Sequence, residues 1–145
     1  MLGLVTAVLA LVASVLPYHR TEITADGALE YTGWVQRFTG TGLGGEAVVL
    51  VHGVALLLAC AVLVAGAVAV LASGARPFGL ALLATGAGML VCYVVFVTAD
   101  VVSAVSQEFG ATTVGPGTWL LALAGLESVT VLLLAFRGVA RTDRA

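Results

Sequence analysis

Long runs of uncharged, apolar residues constrain this chain more than any other feature. From residue 47 to residue 75 there is no Asp, Glu, Lys or Arg, and the 145 residues together are 61% hydrophobic and 10% charged. Soluble domains are about half apolar and about a quarter charged. An uncharged apolar run of about 18 residues is long enough to cross a bilayer as a helix. The sequence therefore predicts an integral membrane protein, with the lipid bilayer as its surroundings.

Four segments are long and apolar enough, or nearly so, to be transmembrane helices. They cover residues 1–17, 47–72, 78–103 and 118–136. The first resembles a secretion signal in length, but it lacks a basic leading segment and a clear small-residue cleavage site before Pro17, which favours a retained helix. We predict one domain, residues 1–145, of the all-α membrane class: an antiparallel bundle of four transmembrane helices.

The positions of the arginines predict the orientation of the bundle. Arg76 lies in the link of residues 73–77, and three more arginines lie in the tail of residues 137–145. The long first loop, residues 18–46, holds only two. Because basic residues are enriched on the cytoplasmic side, we expect the link, the tail and both termini in the cytoplasm. The first loop and the loop of residues 104–117 then lie outside.

Small residues recur at helical spacing in three of the segments. They are Ala61, Ala65 and Ala69 in the second, Ala84 and Gly88 in the third, and Ala124 and Ser128 in the fourth. In lipid, helices gain little from burying apolar surface against one another, so close approach through small side chains is the main route to packing. We expect these stripes in the helix interfaces. The short link also makes the second and third helices neighbours.

The first outer loop carries a turn signal. Asp26-Gly27 lies between "EITA" and "ALEYTGW", and Asp-Gly between strand-compatible residues is typical of a two-residue hairpin turn. We predict a small β-hairpin outside the membrane. Because an isolated hairpin is marginal in water, the rings of Tyr31 and Trp34 are expected to hold it at the helix ends or at the headgroup level. With Arg37 they form a candidate interaction surface, unless the hairpin only caps the bundle.

Three short motifs resemble a group of small four-span membrane proteins of high-GC bacteria. The motifs are Leu16-Pro17, Gly33-Trp34, and "GPGTWLLALAG" from Gly115 to Gly125. More loosely, the layout is similar to the claudin and peripheral myelin protein plan, although the paired loop cysteines of that family are missing. The chain also lacks lysine and asparagine, which is typical of a GC-rich genome. The resemblance implies a fold and a bacterial cytoplasmic membrane, with no activity attached.

Glu127 is the residue that a purely structural interpretation explains least. It lies near the middle of the fourth segment, where an ionised group costs about 2.5 kcal/mol or more. Its helical neighbours Ala124, Ser128 and Thr130 are small or hydroxylic, which favours a position inside the bundle. Either the carboxyl is protonated by desolvation and joins two helices through a hydrogen bond, or it is a proton or cation site on a transport path.

Three other polar residues are candidates for an intramembrane polar site with Glu127. From their depth, and from the lean of side chains toward the helix N-terminus, we expect Tyr93 to meet Glu127 and His52 to pair with Asp100 nearer the outer surface. His19 is expected at the outer surface. A single intramembrane histidine is more often structural than a ligand, so we expect no metal site.

Other ligand classes are not indicated. The glycines of "TGTGLGG" lack the preceding strand and following helix start of a phosphate loop, and no cofactor is expected. A net charge of −2 points to no polyanionic partner such as nucleic acid.

Two functions remain. The first is an accessory or scaffold subunit whose helices bind a protein partner or a second copy in the membrane. The alternative is a small proton- or cation-coupled transporter that uses Glu127. Its outer path would be formed by Tyr93, His52 and Asp100. An enzyme acting on lipid or quinone through His52 and Glu127 has the least support, because acid–base catalysis needs groups within hydrogen-bond reach, and we predict no enzymatic activity.

Overall fold

The computed structural model describes residues 1–24, 27–40, 45–48, 50–72, 76–106 and 111–142. Within these ranges the protein is mostly helical, with four α-helices and five β-strands. Their order is α1 (Leu2–Val15), β1 (His19–Thr24), β2 (Gly27–Tyr31), β3 (Val35–Gly40), β4 (Gly45–Val48), α2 (Leu50–Leu71), α3 (Arg76–Ser106), β5 (Thr112–Val114) and α4 (Pro116–Thr142).

Three of the helices are long and apolar enough to cross a membrane. The candidate spans are His52–Leu71 in α2, Arg76–Ser106 in α3 and Pro116–Arg137 in α4. At 1.5 Å per residue, α2 is about 33 Å long, α3 about 46 Å and α4 about 40 Å, against a hydrocarbon core of about 30 Å. The remaining predicted segment forms α1, which is apolar but has only 14 residues.

The ends of the helices differ from the predicted limits in a systematic way. The last residues of α1 are as expected, since Leu16 is extended (φ −91°, ψ 151°) in front of Pro17, as proline demands of the residue before it. Both α3 and α4 run past residues 103 and 136 into the predicted loop and tail. Apolar composition marks the part of a helix that suits lipid, whereas the helix itself can continue into water.

The four helices pack in a ring in chain order, α1 against α2, α2 against α3, α3 against α4, and α4 against α1. The predicted contact between the second and third helices is confirmed and is the most extensive of the four. The core of the ring contains small and aliphatic side chains that are fully buried. Among them are Ala10, Ala13, Leu56, Leu63, Ala87, Leu90, Leu121 and Ala124.

Glycines bring α2 and α3 together. A Cβ atom built on Gly66 would lie 2.6 Å from the backbone nitrogen of Leu83, and one on Gly86 would lie 2.6 Å from the backbone nitrogen of Leu63. Gly79 is equally close to the backbone of α2. Since a side chain at these positions would push the backbones apart, the glycines determine the distance between the two helices.

The predicted small-residue stripes are only partly right for α2 and α3, since Ala69 lies against Gly79 in the α2–α3 interface but other members do not pack there. Ala61 and Ala65 are exposed on the outside of the bundle, and a Cβ on Gly88 would contact nothing within 4 Å. Only the stripe on α4 is buried, with Ala124 and Ser128 both at 0% exposure. Because α2 and α3 are apolar on every side, the spacing of small residues does not show which side packs.

A five-stranded antiparallel sheet, in the order β4-β3-β2-β1-β5, lies at the end of the bundle where α1 and α3 end and α2 and α4 begin. β1 and β2 pair from His19 and Tyr31 to Thr24 and Gly27, so the two strands of the predicted hairpin are present. Asp26 of the expected turn lies outside the described residues.

The sheet is larger than the predicted hairpin, which corrects the all-α class. β3 and β4 extend it within the first loop, and β5 from the second loop adds the opposite edge. β5 has only three residues, too few for a recognisable alternation of apolar and polar residues. It forms because the end of α3 brings it beside β1, a relationship that local sequence does not contain.

Candidate functional site at the junction of sheet and bundle

The segment that joins α1 to β1 is held by the start of α4. The backbone nitrogen of Gly117 donates to the carbonyl of Pro17 at 3.0 Å, and that of Gly115 donates to the carbonyl of Tyr18 at 2.7 Å. Thr118 Oγ1 donates to the same Tyr18 carbonyl at 2.6 Å. A Cβ on Gly115 would overlap the Pro17 carbonyl. The glycines of the "GPGTW" motif are therefore required by direct contact between two backbones.

Trp34 connects the turn between β2 and β3 to two helices. Its Nε1 donates to Ser14 Oγ at 2.9 Å, and the neighbouring Gly33 nitrogen donates to the Ser14 carbonyl, also at 2.9 Å. The indole ring lies against Gly53 of α2, where a Cβ would overlap it. The expectation that Trp34 holds the strands to the helix ends is confirmed. The Leu-Pro, Gly-Trp and Gly-Pro-Gly motifs thus all meet at this one junction.

His19 is the buried ionisable side chain of the junction, at 3% exposure. Its ring is stacked on Tyr31 with 4.4 Å between centroids, and its Nε2 lies 3.6 Å from Oδ2 of Asp100 on α3. Neither ring nitrogen has a hydrogen-bond partner among the described residues. Burial lowers the pKa of His19, and the opposing attraction of Asp100 is the smaller effect. The imidazole is therefore neutral at pH 7.

The predicted pairing of His52 with Asp100 is wrong. His52 instead makes an edge contact with the ring of Phe96, 5.1 Å between centroids and 78° between planes. The loop residue His19 occupies the position next to Asp100 because the sheet folds back on the end of α3. Depth along a helix predicts the level of a side chain, but not which side of the helix it lies on.

Two tyrosines connect α3 to the same junction. The hydroxyls of Tyr93 and Tyr18 lie 3.3 Å apart in a buried hydrogen bond. Tyr93 was expected to meet Glu127 and does not. Burial raises the pKa of Tyr18 well above its usual range, so this hydroxyl stays protonated. Tyr31 is also neutral, because burial and the nearby Asp100 raise its pKa, and its hydroxyl accepts a hydrogen bond from Gln36 Nε2 at 2.7 Å.

Glu127 contacts α1 instead of α3. Its Oε2 lies 3.1 Å from Oγ1 of Thr6, which is fully buried. The Thr6 hydroxyl also lies 3.0 Å from the carbonyl of Leu2, to which it donates. A hydroxyl has one proton. The proton of Thr6 is therefore shared between the Leu2 carbonyl and the Glu127 carboxyl, which both accept from it.

Tyr31 and Arg37, two residues of the candidate interaction surface, are placed by strands β2 and β3. In the register of β2 and β3, Tyr31 is opposite Gln36 and Arg37 is opposite Glu30. Because side chains alternate along a strand, Tyr31 and Arg37 lie on opposite faces of the sheet. Arg37 instead belongs to a row of charged residues across the strands, since Glu30 is also the register partner of Arg20 in β1.

Within the described ranges, no group of three or more His, Cys, Asp or Glu residues is placed to hold a metal ion. The sequence also missed His19, Tyr18 and Thr6 as members of polar pairs. The only signal for Thr6 was a hydroxyl in a helix that is apolar except for Thr6 and Ser14.

Most of the outer surface of the helices is apolar. Its exposed side chains are large and hydrophobic, for example Leu126, Val95, Leu133, Val8 and Val68. Only about a third of each candidate span is buried inside the protein. A soluble protein rarely exposes an apolar patch of that extent.

Fold and surface together define a class, a mostly helical protein with three candidate membrane spans and an antiparallel sheet at one end of the bundle. No protein-family model and no curated protein matches the chain.

Proposed function

We propose that this protein spans a bacterial cytoplasmic membrane with all four helices and serves as an accessory or scaffold subunit of a membrane assembly. Both termini lie in the cytoplasm and the sheet lies outside. The helices supply the membrane anchor, and the sheet supplies a rigid surface at its edge.

The position of the bilayer follows from the aromatic and basic residues. Trp119 and Phe136 are both exposed on α4 and lie about 26 Å apart along the helix axis, close to the thickness of a hydrocarbon core. Arg137 follows Phe136 directly, and Arg76 begins α3 at the same end of the bundle. This end therefore carries the charges that favour the cytoplasmic side.

The observation that carries a structural role is the apolar core between the polar pairs. Between the Glu127–Thr6 pair and the sheet, both α4 and α1 have buried residues that are apolar. They are Ala124, Leu121, Ala10 and Ala13, none more than 1% exposed. A proton or cation path needs polar groups or water along its length, and in the described residues these four positions supply neither.

Each polar pair joins two elements of the fold. Glu127 joins α4 to α1, Tyr93 joins α3 to Tyr18 before the sheet, and Asp100 joins α3 to His19 of β1. Polar contacts of this kind fix the arrangement of helices in lipid. We therefore assign them to holding the subunit in one shape.

The exposed small-residue stripe of α2 supports a partner helix. Ala61 and Ala65 do not pack within the bundle, and small residues on a lipid-facing side permit close approach of a second helix. The partner is either another membrane protein or a second copy of this chain.

Crosslinking and purification of tagged variants test this proposal. Protein extracted in mild detergent is expected to carry a stoichiometric companion, or a second copy, that is lost in Ala65→Phe. The matched control Val95→Phe, which alters an exposed position of α3, should retain it. Recovery of the wild type only as a lone chain, or equal recovery of the companion with both variants, contradicts the proposal.

The transport alternative is tested in the same preparation. In liposomes, Glu127→Gln should leave proton and cation movement unchanged. A pH-dependent flux in the wild type that Glu127→Gln abolishes would replace the scaffold role by transport.

A further inference from the structure

A groove of about 290 Å³ lies where the sheet meets the end of α1. The apolar part of its lining consists of Val15, Pro17, Trp34 and Val35. The polar part consists of Thr32 and of Glu30 and Arg37, which carry opposite charges. The groove therefore combines an apolar wall with one anion and one cation.

The two charged residues are placed for a ligand that also carries both charges. Glu30 and Arg37 are directly opposite each other in β2 and β3, so their side chains leave the same face of the sheet about 5 Å apart at Cβ. Arg37 is exposed and Glu30 is partly buried. A guanidinium has five N–H donors in one plane, so Arg37 can keep a contact within the protein and still donate to a phosphate oxygen.

The groove opens at the boundary between apolar helix and polar sheet. Val15 is the last residue of α1, and its side chain is 66% exposed. In the proposed bilayer position this side chain contacts lipid, and the strands beyond it lie at the level of the headgroups. Trp34, in the groove, is the residue type that is enriched at that level.

We propose that the groove binds the headgroup of a phospholipid that has a primary ammonium, of the phosphoethanolamine type. The guanidinium of Arg37 binds the phosphate and the carboxylate of Glu30 accepts hydrogen bonds from the ammonium. Val15 and Trp34 contact the glycerol and the first acyl carbons. This inference rests on the membrane insertion stated in the proposed function.

Fluorescence of Trp34 reports binding directly, because the chain has two tryptophans and Trp119→Phe leaves only Trp34. The protein in detergent is titrated with dihexanoyl phosphatidylethanolamine, and separately with the phosphatidylglycerol and phosphatidylcholine of the same chain length and with free phosphoethanolamine. We expect a saturable change with phosphatidylethanolamine at a concentration about tenfold below that needed for the other lipids. The proposal is overturned if the three lipids give equal binding curves or if none of them changes the fluorescence. It is also overturned if free phosphoethanolamine binds as tightly as phosphatidylethanolamine.

Three variants separate the roles of the charges. Arg37→Gln should weaken binding of both phosphatidylethanolamine and phosphatidylglycerol about tenfold, since both contain the phosphate. Glu30→Gln should remove only the preference for phosphatidylethanolamine. Arg20→Gln is the matched control, since Arg20 is the other register partner of Glu30 but does not line the groove, and it should bind as the parent does.

An unchanged lipid preference in Glu30→Gln overturns the proposal even if Arg37→Gln fails to fold. A separate measurement tests membrane insertion, on which the lipid proposal rests. If the parent protein is folded and monodisperse without detergent, the proposed function fails, whatever the lipid titrations show.

Discussion

Oε2 of Glu127 on α4 lies 3.1 Å from Oγ1 of Thr6 on α1, although 121 positions separate the two residues. The Thr6 hydroxyl donates to this carboxyl, and the amide oxygen of a glutamine can accept the same hydrogen bond. Glu127→Gln should then keep the melting temperature of the detergent-solubilised protein, whereas Glu127→Leu and Thr6→Val should lower the stability by about 0.6 to 1.7 kcal/mol, the range for hydrogen bonds between membrane helices. A Gln variant as unstable as the Leu variant would show that the charge is needed.

Gly86 and Gly88, two positions apart on α3, provide a matched test of the helix interface. A Cβ on Gly86 would lie 2.6 Å from the Leu63 backbone, whereas one on Gly88 would contact nothing within 4 Å. Gly86→Ala should destabilise the fold by about 1 to 3 kcal/mol through overpacking. Gly88→Ala should be neutral or stabilising by up to about 1 kcal/mol, because alanine favours the helix. Thermal unfolding of both variants checks this, and equal melting temperatures would contradict the described packing.

The hydrogen bond from Trp34 Nε1 to Ser14 Oγ, at 2.9 Å, is expected to hold the sheet on the bundle. Trp34→Phe keeps an aromatic ring beside Gly53 but removes the donor, which should cost about 1 kcal/mol. The sheet should then become more sensitive to limited proteolysis than the helices. Trp119→Phe is the control, since Trp119 is exposed, and it should leave the cleavage rate unchanged. Equal rates for the two variants would show that Ser14 is not a significant anchor.

Acid should loosen the sheet through His19. Burial lowers the pKa of His19 below its ordinary value of 6.5, so folding favours the neutral imidazole. The resulting stability is complete above pH 6.5 and is lost as the pH falls from there through the lowered folded-state pKa. Of the groups that face the ring, Tyr31 is uncharged and Asp100 opposes the lowering.

The measurement is the melting temperature between pH 8 and pH 5, compared with His19→Phe, which retains the stacking on Tyr31. The variant should lose less stability in acid than the wild type. Asp100→Asn should remove the opposing attraction and make the acid loss larger. Identical pH profiles for wild type and His19→Phe would show that His19 is not the source of the acid loss.

The proposed orientation predicts the side of the membrane on which the chain ends. A reporter fused after Ala145 should be active in its cytoplasmic form and inactive in its periplasmic form. A cysteine introduced at Thr113 in β5, which is exposed, should react with a membrane-impermeant reagent added outside. The reverse result in both assays would show that the bundle has the opposite orientation. A mixed result would show that α1 does not span the membrane.

The sequence predicted those helix ends, strands and helix contacts that depend on local composition or on a short link between elements. The apolar segments, the end of α1 before Pro17, the contact of α2 with α3 and the two strands around Gly27 are of this kind. Each follows from residues that are close in sequence, through hydropathy, the geometry of proline, a short link or turn preference.

Only the tertiary structure decided how the helices are rotated and which polar groups meet. His19 replaced His52 beside Asp100, Thr6 replaced Tyr93 beside Glu127, and β5 joined the sheet from a distant loop. The physical reason is that helices apolar on every side have no amphipathic pattern to reveal which face packs. Their rotation is determined by the close approach of glycines and by hydrogen bonds between residues far apart in the chain, so it appears only when the whole bundle is assembled.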